Sequence, residues 1–173
     1  MRVTVSGLPG SGTTTLAEAL SSRFDLEHVS SGDVFRAMAR ERGVTLAEFG
    51  RIAEEDPEID REIDERQREI ARERDDVVME GRLSGWMVED ADLRVWLAAP
   101  LEVRAERVAD REEQTVEEAH DEIEKRQNSE SRRYREIHGI DIGDLSVYDL
   151  VIDTSHWDQE GVAAVATTAV GNL

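Results

Sequence analysis

The chain has 173 residues, no cysteine, and 40 acidic against 21 basic residues, a formal net charge of -19. This excludes a disulfide framework or thiolate metal site and disfavours a nucleic acid polymer, whose phosphates the surface repels. No apolar run approaches the ~18 residues of a membrane span, so the expectation is one cytoplasmic domain with no membrane partner.

The acid excess reads either as an ordinary acidic protein or, preferably, as adaptation to high intracellular salt, where self-repulsion is screened. The expected outcome is a melting temperature that climbs between low salt and molar KCl. A flat value in thermal unfolding over that range removes the salt reading.

Arg2–Ser6 is short and β-branched and runs at once into glycines, the pattern of a buried strand feeding a loop. The loop Gly7-Leu8-Pro9-Gly10-Ser11-Gly12-Thr13-Thr14 follows G-x-x-x-x-G-K-[ST] except that Thr13 stands where lysine is expected. Of the basic residues only Lys125 is a lysine, far downstream. The chemistry of such a loop is mostly main-chain. Glycines let successive N–H groups turn inward on an anion, and the helix that follows adds the positive end of its dipole. The Thr14 hydroxyl is placed to ligate Mg2+. A lysine would add a mobile charge between the β- and γ-phosphates, so here the charge must come from elsewhere: from among 20 arginines, or from Lys125 swinging in, though Lys125 reads rather as a solvent-facing residue. The bland alternative is a structural glycine turn.

Leu16 to about Arg23 continues as a helix, and Leu26–Val29 is a weak second strand. Ser31 or Asp33 caps a helix with Val34, Phe35, Met38 and Ala39 on one face, ended by Gly43. Thr45 and Glu48 form a capping box that opens a short helix through Phe49, Ile52 and Ala53. Pro57 takes the first position of the next helix. There Ile59, Ile63 and Ile70, with Gln67, make one apolar stripe on a solvated helix. Val77–Glu80 is the third strand, closed by Gly81, and Leu93–Ala98 the fourth, closed by Pro100. Leu101 to about Arg111 is helical. A second capping box, Thr115 with Glu118, starts a helix reaching Tyr134. Tyr148–Asp153 is the fifth strand, and a last helix over Val162–Val170 begins near Asp158. Strands alternating with helices predict an α/β fold: a five-stranded parallel sheet with ligands beyond the strands' carboxyl ends.

Four stretches carry a more specific likeness: Gly7 to Thr15, Ser31-Gly32-Asp33-Val34-Phe35-Arg36, Glu80 to Met87, and Tyr148 to Ser155. In this order and over almost the full length they resemble the archaeal-type cytidylate kinases, some of which carry threonine at the lysine position. The resemblance implies the P-loop nucleoside monophosphate kinase fold, with a core of about 1–30, 75–109 and 136–173. It adds a helical insertion for the acceptor at about 31–74 and a small lid at about 110–135. The implied reaction is ATP plus CMP, and dCMP, to ADP plus the diphosphate, with Mg2+, in a monomer.

Phosphoryl transfer asks a protein for positioning and charge neutralisation, and guanidinium forks suit phosphate oxygens. By resemblance Gly7, Leu8, Pro9, Gly10, Ser11, Gly12, Thr13, Thr14 and Thr15 would hold ATP. Arg36 and Arg82 would hold the CMP phosphate, and Glu80 would hold Mg2+ through water; Arg36 could instead be a solvated helix residue and Glu80 a turn cap. Arg107 and Arg111 share a helix face and match arginines that flank ATP, Arg107 against adenine and Arg111 on phosphates. Ion pairing with Glu102, Glu106 and Asp110 is the alternative. Arg126, Glu130 and Arg133 also share a face, with the arginines on phosphates and Glu130 on the cytosine amino group; Arg132 could replace Arg133. Ser31 and Asp33 would meet cytosine or ribose, unless Asp33 only caps its helix. The four histidines show no partner pattern and read as structural or exposed. Trp86 and Trp96 read as core. Rival readings are a kinase for AMP or UMP and an ATP-binding sensor that transfers nothing.

Overall fold

The computed structural model describes residues 1–173, the side chain of Ala47 excepted. Five strands, β1 (Arg2–Gly7), β2 (Glu27–Ser30), β3 (Val77–Glu80), β4 (Leu93–Ala98) and β5 (Leu150–Asp153), form one sheet in the order β2-β3-β1-β4-β5. Every pairing is parallel. Central strands are buried on both faces because helices cover them: Val3, Val5, Val77, Val78 and Val95 are fully buried, and so are Thr4 and Ser6. On one face α1 (Thr13–Phe24) and α8 (Gln159–Val170) enclose Leu16, Leu20, Val162 and Val170 with the strand valines. Burying each such side chain contributes roughly 1.5–3 kcal/mol.

Between β2 and β3 the chain makes α2 (Ser31–Glu41), α3 (Leu46–Glu55) and α4 (Pro57–Glu73). These helices have an apolar cluster of their own, built on Val34, Met38, Phe49, Ala53, Ile59 and Ile63. Past β4, α6 (Leu101–Glu112) and α7 (Val116–His138) pack on Ala105, Val108, Ala119 and Ile123. A four-residue helix, α5 (Ser84–Met87), follows β3.

The local signals hold at most boundaries. Both capping boxes form, Pro57 opens α4, and Asp158 caps α8 through Gly161 N–H. Three expectations change. The cap of α2 is Ser30, whose Oγ accepts from Asp33 N–H at 3.0 Å, because β2 runs one residue further than expected and delivers Ser30 to the turn. α5 carries Trp86, which is half-buried on a helix, while Trp96 is core on β4. α4 is more than a solvated helix with one stripe: Asp60 and Asp64 are buried as well, since part of its polar side faces a cleft.

Candidate functional site

The phosphate loop leaves β1 and turns through two left-handed glycines, Gly10 at φ 83 and Gly12 at φ 99, before α1 starts at Thr13. Gly7 is required for another reason. A Cβ there would stand 2.4 Å from Ser11 Oγ and 2.8 Å from Leu97 O. Ser11 N–H closes the turn on Leu8 O at 3.1 Å. Leu8, Pro9 and Thr15 lie in the same loop-to-helix segment, with Thr15 exposed on the first turn of α1.

Glu80, at the end of β3, is the hub beside this loop. Its Oε1 accepts from Thr13 Oγ1 and from Thr14 Oγ1, each at 2.8 Å, and its Oε2 lies 3.2 Å from His28 Nε2. Burial raises the Glu80 carboxyl, but the bonds from His28, Thr13 and Thr14 outweigh it and hold it below the usual range. His28 is raised, first by its bond to Glu80. It is therefore a site residue with a defined partner, which spacing along the chain could not show: the two residues meet only because β2 and β3 are neighbours.

Thr14 and Glu80 offer hard oxygen donors at the mouth of the loop. Mg2+ is held in this manner, by one or two protein oxygens together with waters and phosphates. Among the described residues no group of three or more His, Cys, Asp or Glu side chains could hold a metal by itself. The donor set thus fits Mg2+ that arrives with a nucleotide.

Beside the hub lies a cleft of about 940 Å³. Arg36, Arg82, Arg126, Arg133, Glu130 and Asp64 line it, along with Ser31 and Asp33. Arg82 donates from Nη1 to Gly7 O at 3.1 Å and from Nε to Glu130 Oε2 at 3.2 Å. Arg126 Nε donates to Glu130 Oε1 at 2.8 Å. Burial works against the Glu130 carboxylate, but the charges of Arg82 and Arg126 prevail and hold it below the usual range. Arg36 pairs with Asp33 at 2.7 Å, and Asp33 also accepts from Ser30 Oγ. Ser31 Oγ donates to Glu80 O at 3.1 Å. Arg133 lines the cleft and stands 3.6 Å from Asp60, while Arg132 is exposed and outside the cleft lining.

The remaining arginines separate. Arg107 donates to Thr154 Oγ1 at 2.9 Å and to Thr154 O at 2.7 Å, and Thr154 Oγ1 reaches Ser11 O at 3.3 Å, so Arg107 borders the loop through Thr154. Arg104 is 3% exposed and donates to Pro9 O, Ala99 O and Gln127 Oε1, tying the loop to α7. Arg111 is exposed, donates to its neighbour Glu112, and is not part of the cleft. Asp60 and Asp64 face the cleft from α4. Burial raises both carboxyls, that of Asp64 to about 7, and His138 Nε2 lies 2.6 Å from Asp64 Oδ2. His28 and His138 both have acidic partners, contrary to the expectation from spacing, while His156 is exposed.

Residues 2–156 match the model of the cytidylate kinase-like family. A cytidylate kinase of Pyrococcus furiosus is 56% identical over 171 residues, covering 99% of this chain and 88% of that protein. One from Methanococcoides burtonii is 57% identical over 159 residues, covering 92% and 90%, and one from Natronomonas pharaonis 53% over 171 residues, covering 98% and 89%. Among solved structures, an uncharacterized protein from Eubacterium ventriosum aligns with TM-score 0.76 at 16% identity, over 100% of this chain and 99% of that one. The shikimate kinase of Bacteroides thetaiotaomicron aligns with TM-score 0.64 at 16% identity, over 99% and 98%. At such identity these structures speak for the fold alone. The match to the family model and the relatives' identity over nearly the full length together show that this chain belongs to the cytidylate kinase-like family.

Proposed function

We propose that the protein transfers the γ-phosphate of ATP to CMP, and to dCMP, giving ADP and CDP or dCDP with Mg2+. The observation that carries this reading is the position of Arg82: one guanidinium touches the first residue of the phosphate loop and lines the adjoining cleft. Two anion sites therefore share a wall, as in-line transfer between two nucleotides requires. The CMP phosphate is already an anionic nucleophile, so no general base is needed.

The loop from Gly7 to Thr15 and Arg107 would hold the donor, with adenine against Arg107. Arg36 and Arg82 would hold the acceptor phosphate, and Ser31 and Asp33 its sugar or base. Glu130 would accept from the cytosine amino group; a carboxylate has about four lone-pair sites, so its bonds to Arg82 and Arg126 leave room for another donor. Thr14, directly, and Glu80, through water, would hold Mg2+, which when bound neutralises charge on the donor's phosphates. Closure of a lid of about 110–135 over the core would bring Arg111, Arg126 and Arg133 onto the transferring group and exclude water. The acceptor insertion of about 31–74 would complete the site. The reading includes a cytoplasmic monomer adapted to salt.

A coupled assay with ATP and Mg2+ in molar KCl, run on AMP, CMP, UMP, GMP and dCMP, tests this. CMP and dCMP should exceed the others by about 10-fold or more in kcat/KM, since a site built for a base's polar edge rejects the wrong one strongly. Turnover of AMP or UMP instead moves the assignment to another acceptor. Binding of ATP with no transfer to any of the five supports a sensor, a reading with which Thr13 in the lysine position is consistent.

A further inference from the structure

The loop lacks the ammonium that usually lies between the β- and γ-phosphates, and the structure offers a replacement. We propose that Arg82 supplies this donor-side charge, its guanidinium taking the place of the lysine that Thr13 replaces. The proposal rests on the kinase reading and assigns Arg82 a task beyond holding the acceptor.

The strand register explains the placement. β1 and β3 are parallel with Val5 opposite Glu80, so Gly7, the last residue of β1, and Arg82, just past β3, each two residues further on, stand at the same level. Arg82 Nη1 then meets Gly7 O at 3.1 Å. The Thr13 side chain packs on the same glycine from within the loop: a Cβ on Gly7 would stand 3.0 Å from Thr13 Cγ2. Position 13 and Arg82 therefore converge on one residue. Thr13 itself carries no charge, is 8% exposed, and gives its hydroxyl to Glu80.

Arg82 is the cation that both touches the loop and keeps a nitrogen free: Lys125, Arg36 and Arg133 line the cleft but bond to no loop carbonyl among the described residues. Two guanidinium groups bond directly to the loop's carbonyls, Arg82 on Gly7 and Arg104 on Pro9. All three nitrogens of Arg104 have protein acceptors. Arg82 Nη2 has none among the described residues, and Arg82 lines the cleft. Its Nε rests on Glu130, which Arg126 also holds. An arriving phosphate can draw Arg82 over while Glu130 keeps Arg126. Arg107 and Arg111 are bound to Thr154 and Glu112.

The test uses the full chain with Arg82→Gln, Thr13→Lys and both together. Gln keeps a hydrogen-bond donor near Glu130 and removes only the cation. Steady-state rates with ATP and CMP are read beside calorimetric binding of MgATP, MgADP and CMP. Arg82→Gln should lose about 10³-fold in kcat, and adding Thr13→Lys to it should recover at least about 10-fold, because a lysine at position 13 restores the charge where P-loops carry it. Arg82→Gln should also reduce the preference for MgATP over MgADP, and CMP affinity should fall with it, because the same guanidinium would also hold the acceptor phosphate. A folded double variant with no recovery overturns the proposal, as does loss of CMP affinity with the ATP preference intact. Should the double variant not fold, the binding ratios of Arg82→Gln decide alone: a reduced preference supports the proposal and an unchanged one overturns it. Wild-type protein that transfers to no acceptor would instead sink the kinase reading.

Discussion

Glu80→Gln is expected to lower kcat/KM by about 10–100-fold, the usual cost of disturbing a residue that holds a metal's outer ligands. It should also raise the Mg2+ needed for half-maximal rate and leave the melting temperature within a few degrees of wild type. The substitution keeps a carbonyl oxygen where Thr13 and Thr14 donate, at 2.8 Å each, and removes the negative charge. That charge is held ionised against burial by His28 and the two threonines, so the site is set up to keep an anion at the mouth of the loop. An Mg2+ titration of the rate, run beside a thermal melt, separates the possibilities. A normal rate and Mg2+ requirement with a lowered melting temperature would make Glu80 a structural hub only.

What the sequence made legible follows from distance along the chain. The strand, loop and first helix were readable because glycines, β-branched residues and the Thr14 hydroxyl act within fifteen residues of one another. The capping boxes at Thr45 and Thr115 were readable for the same reason, each closing over three residues. α5 was not: four residues give no periodicity, and Ser84 is fixed by Ser6, its hydroxyl 2.8 Å away and 78 positions distant. The isoleucine stripe of α4 was visible, but the burial of Asp60 and Asp64 depends on α7, and no local pattern reports that. Arg107 and Arg111 illustrate the limit of helical spacing. Four residues apart they share a face, yet Arg107 lies beside the β5 end and meets Thr154, while Arg111 has passed into the last turn of α6 and solvent. Spacing shows which arginines travel together; tertiary packing determines which of them reaches the loop.

The pair between Arg82 and Glu130 is 48 positions apart in sequence, and it carries the largest stability effect expected here. Glu130 is 7% exposed between Arg82 and Arg126. Glu130→Leu leaves Arg82, itself 18% exposed, beside a second guanidinium with no anion between them. Breaking a buried pair costs about 3–5 kcal/mol, and the 58% exposure of Arg126 moves the expectation to the lower end, about 3 kcal/mol. For a chain of this length that is about 6–12 °C in melting temperature. Replacing both partners, Arg82→Met with Glu130→Leu, should recover part of the loss, because the uncompensated charge goes too. The pH dependence has a definite sign. The folded carboxylate lies below its ordinary value, and the unfolded one titrates near ~4.3. Its contribution is therefore full above that value and is lost as pH falls through the folded one. The stability gap between wild type and Glu130→Gln should be constant above about pH 5 and shrink on further acidification, measured by denaturant unfolding at several pH values. A gap that widens toward acid would mean that burial dominates over the two arginines and that Glu130 is held neutral.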